Sequence, residues 1–162
     1  MCNLRYKDYC FSMSKFFLLI FLSFASTNLH CRSIESWRSH LGYSFVTDLM
    51  EIDDYIVGNG GYGLVFYNKI SGEKEVLDKV TGLSEVVISK IGYDETSKNL
   101  VVAYASGNID IINFSDGRRL SNLPDIKNKA IYGNKTIYGI TFYNGLCYLS
   151  TGIGIIVMDM SR

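Results

Sequence analysis

Short apolar runs alternate with short polar breaks along the chain from Tyr43 onward. The runs are rich in Val, Ile, Tyr and Phe, and the breaks consist of Gly, Asn, Asp and Ser. This alternation is typical of β-strands joined by turns. No window of about 12 residues shows a 3.6-residue apolar period, so the pattern predicts an all-β region in which helix is essentially absent.

One pattern, two strands around a glycine-containing turn, occurs three times. Aligning Leu64 with Ile109 and Ile155 gives spacings of 45 and 46 residues. A fixed period of this length is typical of the blades of a β-propeller. The three copies are Tyr55–Asn68, Leu100–Asn113 and Cys147–Asp159.

A further apolar strand precedes each pair, and a more polar strand follows the first two. Inner strands of a propeller are covered on both faces, whereas the outermost strand faces solvent and carries charge. We therefore predict an all-β fold, an incomplete β-propeller of about three four-stranded blades at about 43–80, 84–124 and 135–162. A β-sandwich, the alternative, does not explain the fixed period. The preceding strands are Phe45–Met50, Val86–Tyr93 and Ile137–Tyr143, and the polar ones are Glu73–Leu77 and Arg118–Leu123.

The first 32 residues have a different composition. Lys15 precedes the apolar run Phe16–Ala25, and small residues follow it, which matches a secretory signal peptide. Ten helical residues cover about 15 Å, half of the hydrocarbon core of a bilayer, so a membrane span is not expected. We predict a signal peptide and leader over 1–32 and a partial propeller over 33–162. Cys31 leaves a lipoprotein as a minor alternative, which His30 disfavours.

Composition and charge exclude two classes of protein. Hydrophobic residues make up 48% of the 162 residues, which argues against a disordered chain, and 16 basic residues balance 16 acidic ones, which argues against nucleic-acid binding. Without the leader, 12 basic and 15 acidic residues remain, a net charge of −3. The leader also holds three of the four cysteines, so only Cys147 remains and no internal disulfide is expected.

Candidate chemical groups are few after the leader. One histidine, His40, and one cysteine, Cys147, cannot assemble a zinc site or a convincing catalytic triad. Gly58–Gly63 resembles a phosphate-binding loop, but a strand follows it, which favours a hairpin turn. The pairs Asp53-Asp54 and Asp94-Glu95 fall in predicted turns and lack a Ca²⁺-loop pattern. The sequence therefore predicts no catalytic, cofactor or metal site.

One connecting loop combines basic and aromatic residues. Lys127, Lys129 and Lys135 lie there with Tyr132 and Tyr138. A solvated loop is the default interpretation, and contact with an anionic ligand is the alternative. The sequence does not otherwise indicate which residues bind a ligand.

Several short stretches, in order, resemble the N-terminal propeller of the PorZ family, a component of the type IX secretion system of Bacteroidetes. Each stretch is weakly specific, but the ordered set covers nearly all of 37–159. The blades also resemble the propellers of two-component regulators. The stretches are Trp37–Leu41, Gly82–Ser84, Val102–Tyr104, Gly107–Asp110, Asp125–Lys127, Lys135–Ile137, Tyr148–Ser150 and Gly154–Val157.

The resemblance implies a non-enzymatic protein, exported to the periplasm or outer cell surface. It implies binding of an anionic lipopolysaccharide and of a sortase-like protein partner, with no cofactor, no nucleic acid and membrane association only through partners. The alternatives are a periplasmic sensor propeller of a hybrid two-component regulator and a generic protein-interaction propeller. An enzyme on a propeller scaffold is disfavoured by the missing catalytic residues.

Three blades do not close a ring, since natural propellers have at least four. The third predicted blade also lacks its outer strand. We therefore expect a truncated gene product or a fragment, whose first and last blades expose apolar faces.

Overall fold

The computed structural model describes residues 45–160, which form eleven β-strands and one helical turn. The elements are β1 (Asp48–Ile52), β2 (Tyr55–Asn59), β3 (Gly63–Asn68), β4 (Lys74–Asp78), β5 (Ile88–Asp94), β6 (Asn99–Tyr104), β7 (Ile109–Asn113), β8 (Arg119–Leu123), α1 (Asp125–Asn128), β9 (Ile137–Tyr143), β10 (Leu146–Thr151) and β11 (Gly154–Asp159).

The strands form three antiparallel sheets in which each strand pairs with its neighbour in sequence. The first sheet has the order β1-β2-β3-β4, the second β5-β6-β7-β8, and the third β9-β10-β11. Within residues 45–160 the third sheet thus has three strands, where the others have four. The hairpin registers place Leu64, Ile109 and Ile155 directly after equivalent turns, as the repeat predicts.

Tight turns join the strands at one end of each hairpin. Asn144 and Gly145 connect β9 to β10, and both have positive φ angles, 51° and 74°. Two residues with positive φ form the turn whose twist matches that of an antiparallel hairpin, and Asn-Gly is the preferred sequence for it. Asp53, with a φ of 49°, begins the two-residue turn between β1 and β2.

The core is divided by the second sheet, which is covered on both faces. Residues 100, 102 and 104 of β6 pack toward the first sheet, and residues 101 and 103 pack toward the third, as the two-residue period of a strand requires. Strand β5 lies between β1 and β9, so the first strands of the three sheets are neighbours. This places each sheet side by side with the next, as in blades around a propeller axis.

The outward faces of the first and third sheets are less covered. Leu49 on β1 is 68% exposed, and Ile155 on β11 is 75% exposed. Tyr143 and Val157 also face solvent on the third sheet. The outward faces of the first and third sheets therefore expose apolar residues, whereas both faces of the second sheet are covered.

The predicted fold class, an all-β and incomplete β-propeller, is confirmed. The expectation that helix is absent is wrong for one turn, α1, which begins after Pro124 because proline favours the start of a helix. The observed β1 begins at Asp48, three residues later than the predicted strand. The predicted signal peptide over 1–32, His40 and residues 33–44 lie outside the described residues. No helix within 45–160 is long and apolar enough to cross a bilayer.

Candidate functional site: the linker face

The loops emerge at two opposite ends of the sheets. One end, which we call the linker face, holds the links between sheets and the turns between the second and third strands of each sheet: residues 60–62, 79–87, 105–108, 124–136 and 152–153. The other end, the turn face, holds the remaining hairpin turns: residues 53–54, 69–73, 95–98, 114–118 and 144–145.

Hydrogen bonds join the loops of the linker face to one another, both within the second sheet and across sheet boundaries. The amide of Ile88 donates to the carbonyl of Gly61 at 2.8 Å, and the amide of Ala105 donates to the carbonyl of Val87 at 3.1 Å. The hydroxyl of Thr136 in turn donates to the carbonyl of Ala105 at 2.8 Å. The linker face is therefore one continuous surface built from all three sheets.

A buried carboxylate, Asp110 on β7, holds the first linker in place. Its oxygens accept hydrogen bonds from the amide of Ser84 at 2.8 Å and the hydroxyl of Ser84 at 2.7 Å. The hydroxyl of Tyr104 and the amide nitrogen of Asn122 also donate to it, at 2.5 Å and 2.8 Å. Burial, together with this hydrogen bond, raises the pKa of Tyr104, so its hydroxyl remains a donor. Asp110 is thus a fixed anchor for residues 79–87.

A second carboxylate, Glu85, links the two inter-sheet loops. It pairs with the ammonium of Lys127 at 2.7 Å and accepts a hydrogen bond from Ser106 at 2.6 Å. Burial tends to raise the pKa of Glu85, but the hydrogen bonds from Lys127 and Ser106 and the charge of Lys127 outweigh it and hold that pKa below its usual value. The carboxylate therefore stays charged and ties the loop 124–136 to the loop 79–87.

The structure separates the three lysines that the sequence groups together. Lys127 pairs with Glu85, and Lys135 donates to the carbonyls of Lys127 at 2.7 Å and Lys129 at 2.6 Å, which closes the loop on itself. Lys129 is exposed, and within residues 45–160 its ammonium contacts no acidic group. Lys79 is also exposed and donates to the carbonyl of Ser84 at 3.0 Å. Lys129 is therefore the lysine best placed to meet a ligand.

Charge is distributed unequally between the two faces. The loops of the linker face carry four lysines against two acidic residues, Glu85 and Asp125. The loops of the turn face carry five acidic residues against three basic ones. Three tyrosines on or beside the linker face are exposed, namely Tyr62, Tyr132 and Tyr138, and Tyr132 is fully so. The linker face is accordingly the positive end of the described residues, and it carries exposed tyrosines as well.

The turn face is occupied by ion pairs that join the first two sheets. Lys98 pairs with Asp53 at 3.1 Å. Arg118 pairs with Glu75 at 2.7 Å, and its guanidinium lies over the rings of Tyr55 and Phe66 at 5.5 and 5.2 Å. These charged groups are engaged in the contact between the first two sheets. The linker face is therefore the better candidate for binding a ligand.

The other groups considered from the sequence have structural roles in the part of the chain that is described. Gly58–Gly63 forms the end of β2 and a turn into β3, as predicted, and Gly61 has a φ of 79°. Asp94 accepts hydrogen bonds from the hydroxyl of Ser97 at 2.6 Å and from nearby amides, which makes it a turn residue. Cys147 is buried, which raises the pKa of its thiol to about 12. No group of three potential metal ligands occurs among residues 45–160.

Sequence reasoning missed Asp110, Glu85 and Ser106 as parts of this face. Asp110 gave a signal, because it is a charged residue inside the apolar strand Ile109–Asn113. A carboxylate at such a position needs buried donors. Glu85 and Ser106 gave none, since Glu85 accepts its hydrogen bonds from Ser106 and Lys127, which lie 21 and 42 positions further along the chain.

The described residues form three adjacent antiparallel sheets, two of four strands and one of three, whose first strands lie side by side and whose loops lie at two ends. This arrangement defines an open part of a β-propeller. The family model "TSS9, PorZ, N-terminal beta-propeller domain" matches residues 55–162. The chain therefore belongs to the PorZ N-terminal β-propeller family, and the resemblance noted from the sequence is confirmed.

Two solved structures are similar to the chain. PorZ of Porphyromonas gingivalis, described as an essential bacterial surface component of the type IX secretion system, is 30% identical with a TM-score of 0.65, over 72% of this chain and 15% of that one. The extracellular domain of the putative hybrid two-component system BT3049 of B. thetaiotaomicron is 14% identical with a TM-score of 0.59, over 80% and 19%. The chain thus spans under a fifth of either protein. The comparison with curated proteins gives no match.

Proposed function

We propose that this chain is part of a non-enzymatic, exported propeller of the type IX secretion system, acting in the periplasm or at the outer cell surface. Membership of the PorZ family supports this proposal, as does the description of the similar P. gingivalis protein as a surface component of that system. The likeness to the two-component extracellular domain, at 14% identity, is one of fold and supports no sensor function.

The proposed activity is recognition of an anionic lipopolysaccharide by the linker face, with a sortase-like protein as the partner to which it is presented. The observation that carries this proposal is the combination of excess lysines and exposed tyrosines at one end of the sheets. A positive surface attracts phosphate or carboxylate groups, and exposed aromatic rings provide flat apolar area against which a sugar ring can lie. Lys129 and Tyr132 combine both properties within four residues of one loop.

A paired substitution tests this proposal on the full chain. The Lys129→Glu/Tyr132→Ala variant is compared with Lys74→Glu/Tyr67→Ala, which makes the same chemical changes at two paired, exposed positions on β3 and β4. We expect the first variant to lose at least about tenfold in affinity for vesicles containing anionic lipopolysaccharide, which corresponds to about 1.4 kcal/mol. The second should bind as the wild type does.

Co-sedimentation with these vesicles, and with neutral phosphatidylcholine vesicles as a blank, provides the measurement. Equal losses in the two variants would show that overall charge, and not the linker face, determines binding. Equal binding of the wild type to both kinds of vesicle would remove lipopolysaccharide as the ligand. Detectable hydrolase or lyase activity in the purified chain would contradict the non-enzymatic assignment.

A further inference from the structure

A groove crosses the linker face between the two inter-sheet linkers. It encloses about 390 Å³, and its residues come from both linkers and from the turn between β6 and β7. The ion pair between Glu85 and Lys127 joins the two linkers at 2.7 Å, so the walls of this linker groove are held in place relative to each other. The walls include Lys79, Glu85, Val86, Val87, Ser106 and Lys127.

The linker groove carries one positive charge in excess. Glu85 neutralises Lys127, with which it pairs. The ammonium of Lys79 donates to the carbonyl of Ser84 at 3.0 Å and, among residues 45–160, forms no ion pair. An ammonium group has three donors, so Lys79 retains donors for an incoming group. The groove is therefore complementary to a ligand that brings a carboxylate.

The apolar part of the linker groove is aliphatic. The side chains of Val86 and Val87 are 41% and 49% exposed, although valine is among the residues most often buried. None of the described tyrosines lines the groove, so it lacks the flat aromatic area against which a sugar ring can lie. Exposed apolar residues with a charged rim mark interaction sites, and two valines match an aliphatic side chain better than a sugar.

We propose that the linker groove binds a protein segment in which a carboxylate stands beside an aliphatic side chain. The carboxylate pairs with Lys79, and the aliphatic side chain packs against Val86 and Val87. The excess of lysines on this face also attracts an acidic protein surface from a distance. This inference rests on the preceding proposal only in taking the partner to be a protein, and it assigns that protein to the groove and the lipopolysaccharide to Lys129 and Tyr132.

Binding of an acidic peptide to the full chain tests the inference. The probe is a short fluorescein-labelled peptide of alternating Glu and Val, and fluorescence anisotropy measures its affinity. Peptides of alternating Glu and Ser, and of alternating Lys and Val, serve as controls for the aliphatic side chain and for the carboxylate. We expect saturable binding of the Glu-Val peptide that weakens with added salt. Each control peptide should bind at least about fivefold more weakly.

Two pairs of variants locate the binding. Lys79→Gln should weaken binding of the Glu-Val peptide at least about fivefold, whereas Lys74→Gln, the same change on β4 outside the groove, should not. Val86→Ser should weaken it about threefold, whereas Val80→Ser, in the same linker but outside the groove, should not. All four side chains are exposed, so we expect each variant to fold as the wild type does.

Three results overturn the inference. The first is failure of the wild-type chain to bind the Glu-Val peptide. The second is equal binding of the Glu-Val and Glu-Ser peptides, which would leave the valines without a role. The third is an equal loss in Lys79→Gln and Lys74→Gln, which would make the attraction one of overall charge.

Vesicle co-sedimentation separates this inference from the proposed lipopolysaccharide recognition. Lys79→Gln should bind the lipopolysaccharide vesicles as Lys74→Gln does, and Lys129→Glu/Tyr132→Ala should bind the Glu-Val peptide within about twofold of the wild type, since salt screens a charge outside the groove. A loss of vesicle binding in Lys79→Gln but not in Lys74→Gln would overturn the inference and assign the groove to the lipopolysaccharide. Peptide binding by a chain that does not bind the vesicles would support the groove and overturn the lipopolysaccharide proposal.

Discussion

At the scale of single residues, two carboxylates fix the linker face. Asp110 is buried and receives four hydrogen bonds, whereas Glu85 is partly exposed and pairs with Lys127 across two loops. Asp110 holds the linker 79–87 against β7 through Ser84. Glu85 connects this linker to the linker 124–136. Their different burial leads to different experimental behaviour.

Removing the Asp110 carboxylate should destabilise the protein strongly. Asp110→Ala leaves the hydroxyl of Tyr104 and the amide of Ser84 without their acceptor, and unsatisfied buried donors cost about 1 to 3 kcal/mol each. We expect a loss of about 3 kcal/mol in the free energy of unfolding, measured by urea denaturation. Asp116→Ala, in an exposed turn, should change it by less than about 0.5 kcal/mol. Similar values for both variants would contradict the anchoring role of Asp110.

The Glu85 ion pair should make stability depend on pH in the acid range. Because the folded-state pKa of Glu85 lies below its usual value, its contribution is fully present above the unfolded-state pKa and is lost as the pH falls through the folded-state pKa. The stability difference between wild type and Glu85→Gln should therefore be larger at pH 6 than at pH 3. Urea denaturation at both pH values measures it, with Asp125→Gln as the control on the same face. A difference that grows toward pH 3 would have the wrong sign.

At the scale of elements, the packing of β9 against β5 depends on one glycine. A Cβ atom at Gly92 would lie 2.7 Å from Cγ2 and 3.0 Å from Cβ of Ile140, which is too close for either. Ile140 is held by the register of β9 with β10, so it has little freedom to move away. Gly92 thus sets the spacing between the second and third sheets.

Gly92→Ala should therefore force these two sheets apart. We expect the free energy of unfolding to fall by about 1 to 3 kcal/mol, the usual cost of overpacking a core. Thr141→Ala, on the exposed face of the neighbouring strand, should cost less than about 0.5 kcal/mol. Urea denaturation of both variants measures the difference. An unchanged stability for Gly92→Ala would mean that the sheets are less closely packed than described.

The sequence predicts elements well where their pattern is local. Alternation and turn residues identified the strands, and Ile137–Tyr143 matches β9 residue for residue. The start of β1 was placed too early because Phe45 and Val46 are apolar, although both are exposed. The turn α1 was missed because four residues are too few to show helical periodicity. The composition of the loop indicated Lys127, Lys129 and Lys135 with Tyr132 and Tyr138 as a group. It did not distinguish among the lysines, because Glu85, the partner of Lys127, lies in a distant loop and left no local pattern.

At the scale of the whole molecule, the 45-residue repeat indicates a propeller because each blade must be covered by its neighbours. The second sheet shows this arrangement, with one apolar cluster on each face. Which loops form a common face follows from topology once the strands are known. The excess of lysines on that face does not follow from the repeat, since Lys127, Lys129 and Lys135 all come from one long linker.

The closure of the linker 124–136 has an evolutionary consequence. Lys135 bonds the carbonyls of Lys127 and Lys129, and Thr136 bonds Ala105, so the loop is fastened at its base by groups outside its tip. The tip, from Ala130 to Tyr132, contributes nothing to the two apolar clusters. Mutations there can change the charge and shape of this surface while leaving the folding of the blades unaffected, so the loop can diverge without a compensating change in the sheets.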